Sequence, residues 1–354
     1  MTCSHATDWD GQLVSVLVLN WNGERFLGPC LASVVRDACP HVEVVVVDNG
    51  SSDASLEIAR QFPGVRVVPH GTNLGFSRGY NAAVPEVKGQ FLVFLNNDTV
   101  VEQGWLVPLI ETLRQQPTVG ISGSMQLFYG TQIVNSVGGA FTLWTGGMDL
   151  GYGQPAASYR GRPYVDAFFA SGAAMAIRRE LFERLGGFEE YFFAYGEDID
   201  LSWRARLLGY KIRTVLPSVV HHHHSASWGI FSPRKVRMVT RNQLIVNIGC
   251  LSTPNVLHSV PAYAVFALLK GAAMAVALRN INYLLATAAA LIETGVSART
   301  VWRRRRRIQA SRLVPDREAL RCEAFALFQS PLGWLRILRA GRQVDRARKV
   351  LARP

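Results

Sequence analysis

Three short runs in this chain are almost wholly apolar, and each stops at an amide or a carboxylate: residues 13–19 before Asn20, 42–47 before Asp48, and 91–95 before Asn96. Continuous apolar runs of this length fit strands covered on both faces, as in a parallel sheet enclosed by helices. They are too short for ordinary core helices. Helix-forming sequence follows at 24–37 and 54–61, where Ser52 or Asp53 is placed to cap, and a fourth strand at 65–68 precedes a helix from Asn73 to residue 87. The alternation predicts an α/β fold with a mostly parallel nucleotide-binding sheet flanked by helices. Ligands of such sheets bind beyond the carboxyl ends of the strands. Asn20 and Asn22, Asp48 and Asn49, Asn73, and Asn97 and Asp98 are therefore expected on one rim. A nucleotide laid across it would meet Asp48 at its base or ribose and Asp98 at its phosphates. No Gly-x-Gly-x-x-Gly follows the first strand and no P-loop is present, which disfavours a Rossmann dehydrogenase and a P-loop NTPase.

Residues 102–116 read as a helix and 119–122 as a strand, whereas 123–166, with Trp144 inside it, is rich in Gly, Tyr and Thr and has little periodicity. Loops of that length are usually functional, so hairpins and a loop over the site are expected. Strand character returns at 168–177 and a short helix follows at 179–185. The next stretch, GGFEEYFFAYGEDIDLSWR from Gly186 to Arg204, sets Glu197, Asp198 and Asp200 at the opening of a helix. Acids there stabilise the positive helix end. The aromatic run before them would also keep water from a carboxylate and poise it as a base. A run of four histidines, 221–224, ends the strand that begins near Lys211, and alternation puts His222 and His224 on one face.

In their order, the pieces VSVLVLNWN, VVVVDNGSSD, NLGFSRGYN, FLNNDT, GGFEEYFFAYGEDIDLSWR and the later His resemble an inverting family 2 glycosyltransferase with the A-type fold, of the kind found among bacterial rhamnosyltransferases of cell-surface polysaccharide synthesis. The likeness spans roughly residues 13–245. It implies transfer of a sugar from a nucleoside diphosphate donor to a glycan or lipid-linked acceptor. Asp48 matches the acid at the nucleotide base. Asp98 matches the last acid of an Asp-x-Asp element that holds a divalent metal, Mg2+ or Mn2+, across the two phosphates. Asn96 departs from that element, being an amide where the family has its first acid, so metal affinity is expected to lean on the diphosphate. Asp198 matches the catalytic base, supported by Glu197 and Asp200, and His222 or His224 matches a metal-ligating His. A non-catalytic nucleotide-sugar or glycan binder keeping this fold is the alternative; Asn96 favours it and the intact acidic run opposes it.

The formal charge of +12 is uneven: residues 229–354 hold 22 Lys and Arg against 5 Asp and Glu, leaving 16 against 21 for residues 1–228. The expected organisation is a catalytic domain over 1–245 and a basic, apolar helical tail over 246–354. Within 256–296 the apolar pieces, broken by Lys270, Arg279 and Glu293, read as shorter than the ~20 residues a spanning helix needs. Interfacial helices with Arg303 to Arg307 as an anchor to an anionic membrane surface are expected. Core packing or a homodimer interface is the alternative use of these helices. No nucleic-acid reader accompanies the arginines. Five cysteines without paired spacing and a polar first ten residues fit a cytoplasmic protein, peripheral on the cytosolic face of the cell membrane.

Overall fold

A computed structural model describes residues 9, 11–37, 40–142, 146–223 and 232–322. His224 and Trp144 lie outside these. Strands β1 (Val14–Asn20), β2 (Val42–Asp48) and β3 (Val65–Pro69) alternate with helices α1 (Glu24–Arg36), α2 (Ser55–Arg60) and α3 (Gly75–Ala83). Then come β4 (Phe91–Asn96), β5 (Thr99–Val101), α4 (Leu106–Gln115), β6 (Val119–Phe128), β7 (Val134–Ser136), β8 (Gly139–Thr142), β9 (Gly146–Asp149) and β10 (Tyr164–Ala167). The described chain ends with β11 (Ala174–Arg178), α5 (Arg179–Arg184), α6 (Glu197–Leu207), β12 (Lys211–His222), α7 (Pro233–Cys250), α8 (Thr253–Ala277), α9 (Asn282–Val296), α10 (Ala298–Ser311) and α11 (Asp316–Ala319).

One large sheet has the order β10-β12-β6-β11-β4-β1-β2-β3. The four strands from β4 to β3 are parallel, as the alternation predicts. Beyond β4 the sheet is mixed: β11 runs antiparallel between β4 and β6, and β10 antiparallel to β12. Within that mixed half β6 and β12 still pair in parallel, so of the eight strands in this order only β10 and β11 run against the rest. The region expected as hairpins and loop is also more ordered, because β6 runs ten residues and is buried throughout. Its Gly and Ser positions let neighbours approach; a Cβ at Gly123 would sit 3.0 Å from Ala170 Cβ.

The apolar runs are covered on both faces. Val14, Val16 and Val18 of β1 and Phe91, Val93 and Leu95 of β4 face α1 and α4. Leu17, Leu92 and Phe94 face α3, α5 and α6. Each such side chain contributes about 1.5–3 kcal/mol by leaving water, which drives the three runs into the sheet centre. Register then brings their polar ends together, with Asn20 beside Asp48 and Leu19 beside Asn96.

The boundary expected between residues 245 and 246 falls inside α7. Where the sequence suggested only short apolar pieces, α8 is 25 residues long and contains an 18-residue window of mean hydropathy 1.7, enough by length and composition to cross a membrane. Lys270 breaks the sequence pattern without breaking the helix. The arginine run is corrected too, since Arg304 and Arg305 point into the protein and only Arg303, Arg306 and Arg307 are exposed.

Candidate active site

A cleft of about 470 Å³ opens at the carboxyl ends of β1, β2 and β4. Leu19, Trp21, Asn49, Asn73, Asn96, Asn97 and Asp98 form one wall, and Phe193 to Ile199 another. Sequence reasoning thus placed Asn49, Asn73, Asn97, Asp98, Glu197 and Asp198 in one cleft. His222 joins them.

Asp48, Asn20 and Asp200 do not reach its wall. Asp48 is 2% exposed, and its carboxylate accepts from Asn20 Nδ2 (3.1 Å), Gly50 N (3.1 Å), Ser51 N (3.0 Å) and Ser51 Oγ (2.6 Å). Such an Asx turn satisfies every lone pair within the chain. Asn20 is held likewise, accepting from Asn97 Nδ2 at 2.7 Å. Both side chains are thus tied into the rim by bonds within the chain. Asn49 does line the cleft: its Nδ2 donates to Gly75 O at 2.9 Å while its buried Oδ1 has no partner. Asn73 accepts from Gly75 N at 2.9 Å. Gly75, at φ +77°, is required, because a Cβ would lie 2.4 Å from Phe193 O.

At the Asp98 end of the rim, His222 Nε2 stands 3.2 Å from Asp98 Oδ1, and His222 Nδ1 meets Asn135 Oδ1 at 3.1 Å. Burial alone would raise the Asp98 carboxyl, but His222 and His223 outweigh it and hold the group below its usual value. Among the described residues no three His, Cys, Asp or Glu side chains cluster for a metal. Asn96 lines the cleft as an amide. Asp98 and His222 thus offer a hard oxygen and an imidazole nitrogen side by side. That pair fits a divalent cation whose other ligands come from a diphosphate.

The acidic end is built on a strained turn. Tyr195 has φ +69° and Gly196 φ +89°, just before α6. A non-Gly residue in that region costs about 1–3 kcal/mol. Asn242 of α7, fully buried, holds the turn by donating Nδ2 to Ala194 O (3.0 Å) and Tyr195 O (2.7 Å). Asp198 Oδ2 then accepts from Gly172 N at 3.0 Å and its Oδ1 from Ile199 N at 2.8 Å. Lost hydration nonetheless raises the Asp198 pKa. Burial, with Asp198 as a second cause, pushes Glu197 up to about 8, and its Oε2 has no partner. Each of the two carboxyls therefore holds a proton more readily here than it would in water.

Sequence reasoning missed Asp149 of β9 and Lys235, Val239 and Gln243 of α7, all on the cleft wall. Loss of water around Asp149 pushes it up to about 6, with Asp198 adding to the rise. Gln243 pins its hairpin by accepting from Gly147 N at 3.2 Å. The one signal was that Asp149 is the only carboxylate between Glu111 and Asp166.

Residues 15–186 match the family described as glycosyl transferase family 2. The chain carries a family 2 glycosyltransferase domain. An N-acetylglucosaminyl-diphospho-decaprenol L-rhamnosyltransferase of Mycobacterium tuberculosis is 28% identical over 231 residues, covering 58% of this chain and 73% of that protein. The present chain has the glycosyltransferase A-type fold. The mannosyltransferase PcManGT from Pyrobaculum calidifontis, solved with GDP-Man and Mn2+, superposes with a TM-score of 0.52 at 19% identity over 85% of this chain and 86% of that one. GalNAc-T7, solved with UDP, GalNAc and Mn2+, gives 0.57 at 19% identity over 73% of this chain, which spans only 51% of that structure. Asp98, within the matched residues, and Asp198, beyond them, line the same cleft.

Proposed function

We propose that the protein moves a sugar from a nucleoside diphosphate donor to a lipid-linked or glycan acceptor in one inverting displacement, with Asp198 as general base. The observation that carries this reading is that Asp198, fixed by two backbone donors, shares one cleft with the amide rim and with Asp98. The acceptor hydroxyl gives its proton to Asp198 as its oxygen bonds to the anomeric carbon, and the bond from that carbon to the diphosphate oxygen breaks on the opposite face. Glu197, holding its proton, can donate a hydrogen bond from Oε2. Asp200, locked to two arginines, is unavailable for either role. Asn49 Oδ1 is an unfilled acceptor suited to a base imide, and Asp98 and His222 would hold the divalent cation. When bound, that cation offsets charge on the departing diphosphate.

The relative's printed name makes L-rhamnose and a polyprenyl-linked acceptor the first substrates to try. A lipid-linked acceptor also suits the outer face of α8 and α9, where Leu257, Leu269, Val276, Ile292 and Val296 are exposed. In this reading α7 and α10 belong to the catalytic unit, and α8–α9 is the part that rests on the cytosolic face of an anionic membrane.

The test is a panel of nucleotide sugars in thermal shift, with and without Mg2+ or Mn2+, followed by turnover of the donor it selects. Asp198→Asn is expected to lower turnover by ~100-fold or more while donor binding persists. Retention of more than about a tenth of wild-type turnover rejects Asp198 as the base.

A further inference from the structure

The arginine run that the sequence assigns to lipid ends, in part, on the helix that carries the acid pair. Arg304 is 3% exposed and uses its whole guanidinium inside the protein. Nη2 donates to Asp200 Oδ1, Nε to Glu189 Oε2 at 2.9 Å, and Nη1 to Ile245 O at 3.1 Å. Asp200, with no exposed surface, accepts on its other oxygen from Arg204 Nε at 2.8 Å. Arg204 spends its remaining donors on Leu185 O (2.6 Å) and Gly187 O (2.9 Å). One carboxylate thereby joins the first turn of α6, the loop at 185–189, α7 and α10. The packing admits the guanidinium only because residue 249 is glycine; a Cβ there would stand 2.0 Å from Arg304 Nη1.

The network balances two arginines against Asp200 and Glu189. A buried pair of this kind is often no more stabilising than apolar side chains of the same volume. What a forked, planar guanidinium adds is fixed geometry. Asp200 lies two residues beyond Asp198, whose Oδ2 must meet Gly172 N–H from a separate strand end. Catalytic groups tolerate displacements of only about 0.5 Å.

We propose that Arg304 is a positioning residue for Glu197 and Asp198: acting through Asp200, it fixes the rotation and axial position of the first turn of α6, which makes the C-terminal helices part of the catalytic scaffold. This rests on the reading of Asp198 as the base.

Two full-length variants test it. Arg304→Lys keeps the charge and loses the fork; Asp200→Asn keeps the shape and loses the charge. Each is expected to lower kcat about ten-fold or more, as small misplacements do, while calorimetric Kd values for UDP, GDP and dTDP stay within about two-fold. The acid limb of kcat against pH is expected to move to higher pH, because an Asp198 shifted off Gly172 N–H loses a donor that favours its charged form. A merely structural role would lower the melting temperature and leave that limb in place. A folded Arg304→Lys protein with more than half of wild-type kcat, or with reduced kcat and an unmoved limb, overturns the proposal. If Arg304→Lys does not fold, Asp200→Asn decides by the same criteria, since an amide in place of the carboxylate still fills the site between the two arginines. Asp198→Asn, run alongside, separates the two claims. An active Asp198→Asn rejects the base, whereas an inactive Asp198→Asn beside a fully active Arg304→Lys rejects only the positioning.

Discussion

His222 Nε2 stands 3.2 Å from Asp98 Oδ1 across the join of β12 with the turn that ends β4. Asn135 Oδ1 at His222 Nδ1 favours a proton on that nitrogen and leaves Nε2 toward the carboxylate. Two lone-pair donors face each other there unless a proton or a cation lies between them. Asp98→Ala is therefore expected to weaken nucleotide-sugar binding and abolish any gain from Mg2+ or Mn2+. His222→Ala is expected to cost about 10-fold or more in metal affinity. Calorimetric titration of Mn2+ in the presence of a nucleoside diphosphate measures both, and unchanged isotherms would move the cation elsewhere.

Asn96 supplies an amide where a second charged oxygen would strengthen the same site. Asn96→Asp is expected to lower the metal concentration for half-maximal activity, because hard cations favour carboxylate over amide oxygen. An unchanged metal titration would mean that residue 96 does not face the cation.

Glu197 gives a pH dependence with a definite sign. Its pKa is about 8 in the folded protein, against an ordinary value of 4.5. A carboxyl raised by folding contributes stability that is full below the ordinary value and is lost as pH climbs through the folded one. Between about pH 4.5 and 8, then, wild-type protein should lose stability relative to Glu197→Gln, which has no proton to give up. Melting temperatures measured from pH 5 to 9 check this. A constant difference between the two proteins would show that Glu197 ionises as an ordinary surface acid.

The parts of the site that the sequence revealed are those fixed by local pattern. Runs apolar on both faces announce β1, β2 and β4, and their polar ends must then share a rim. What stayed hidden depends on long-range contact. That Gly50 and Ser51 fold back onto the Asp48 carboxylate was not legible, because an Asx-turn carboxylate and an open one are identical in sequence. Asp149 reaches the cleft through a hairpin pinned by Gln243, about ninety residues away, so no periodicity near Gly146 marks it. Arg304 was legible in principle. Val301, Arg304, Arg305 and Ile308 all face inward, at the spacing of a helix stripe, but five adjacent arginines hide that stripe from a reading by charge.

The outer face of α8 and α9 supplies the last prediction. Val276 and Val296 are 81% and 83% exposed, with Leu257, Leu269, Leu285 and Ile292 beside them on the same two helices. Apolar surface of that kind marks an interaction site on a soluble face. Arg303, Arg306 and Arg307, the exposed part of the arginine run, lie on the helix that follows. Apolar insertion plus cationic attraction meets the two-signal requirement for stable peripheral attachment. Because Arg304 holds α10 in the catalytic unit, cutting the tail away would damage the site, so surface substitutions are the cleaner probe. Leu269→Glu with Val276→Glu is expected to abolish flotation with anionic liposomes while leaving the melting temperature near wild type. Replacing Arg303, Arg306 and Arg307 by Gln should weaken binding to anionic vesicles and leave binding to neutral ones unchanged. High salt should act as that triple variant does, since screening sets in within about 10 Å at 0.1 M. Wild-type protein that floats with neither vesicle, and sediments as a dimer that Leu269→Glu dissociates, would make this face a contact between two copies of the chain.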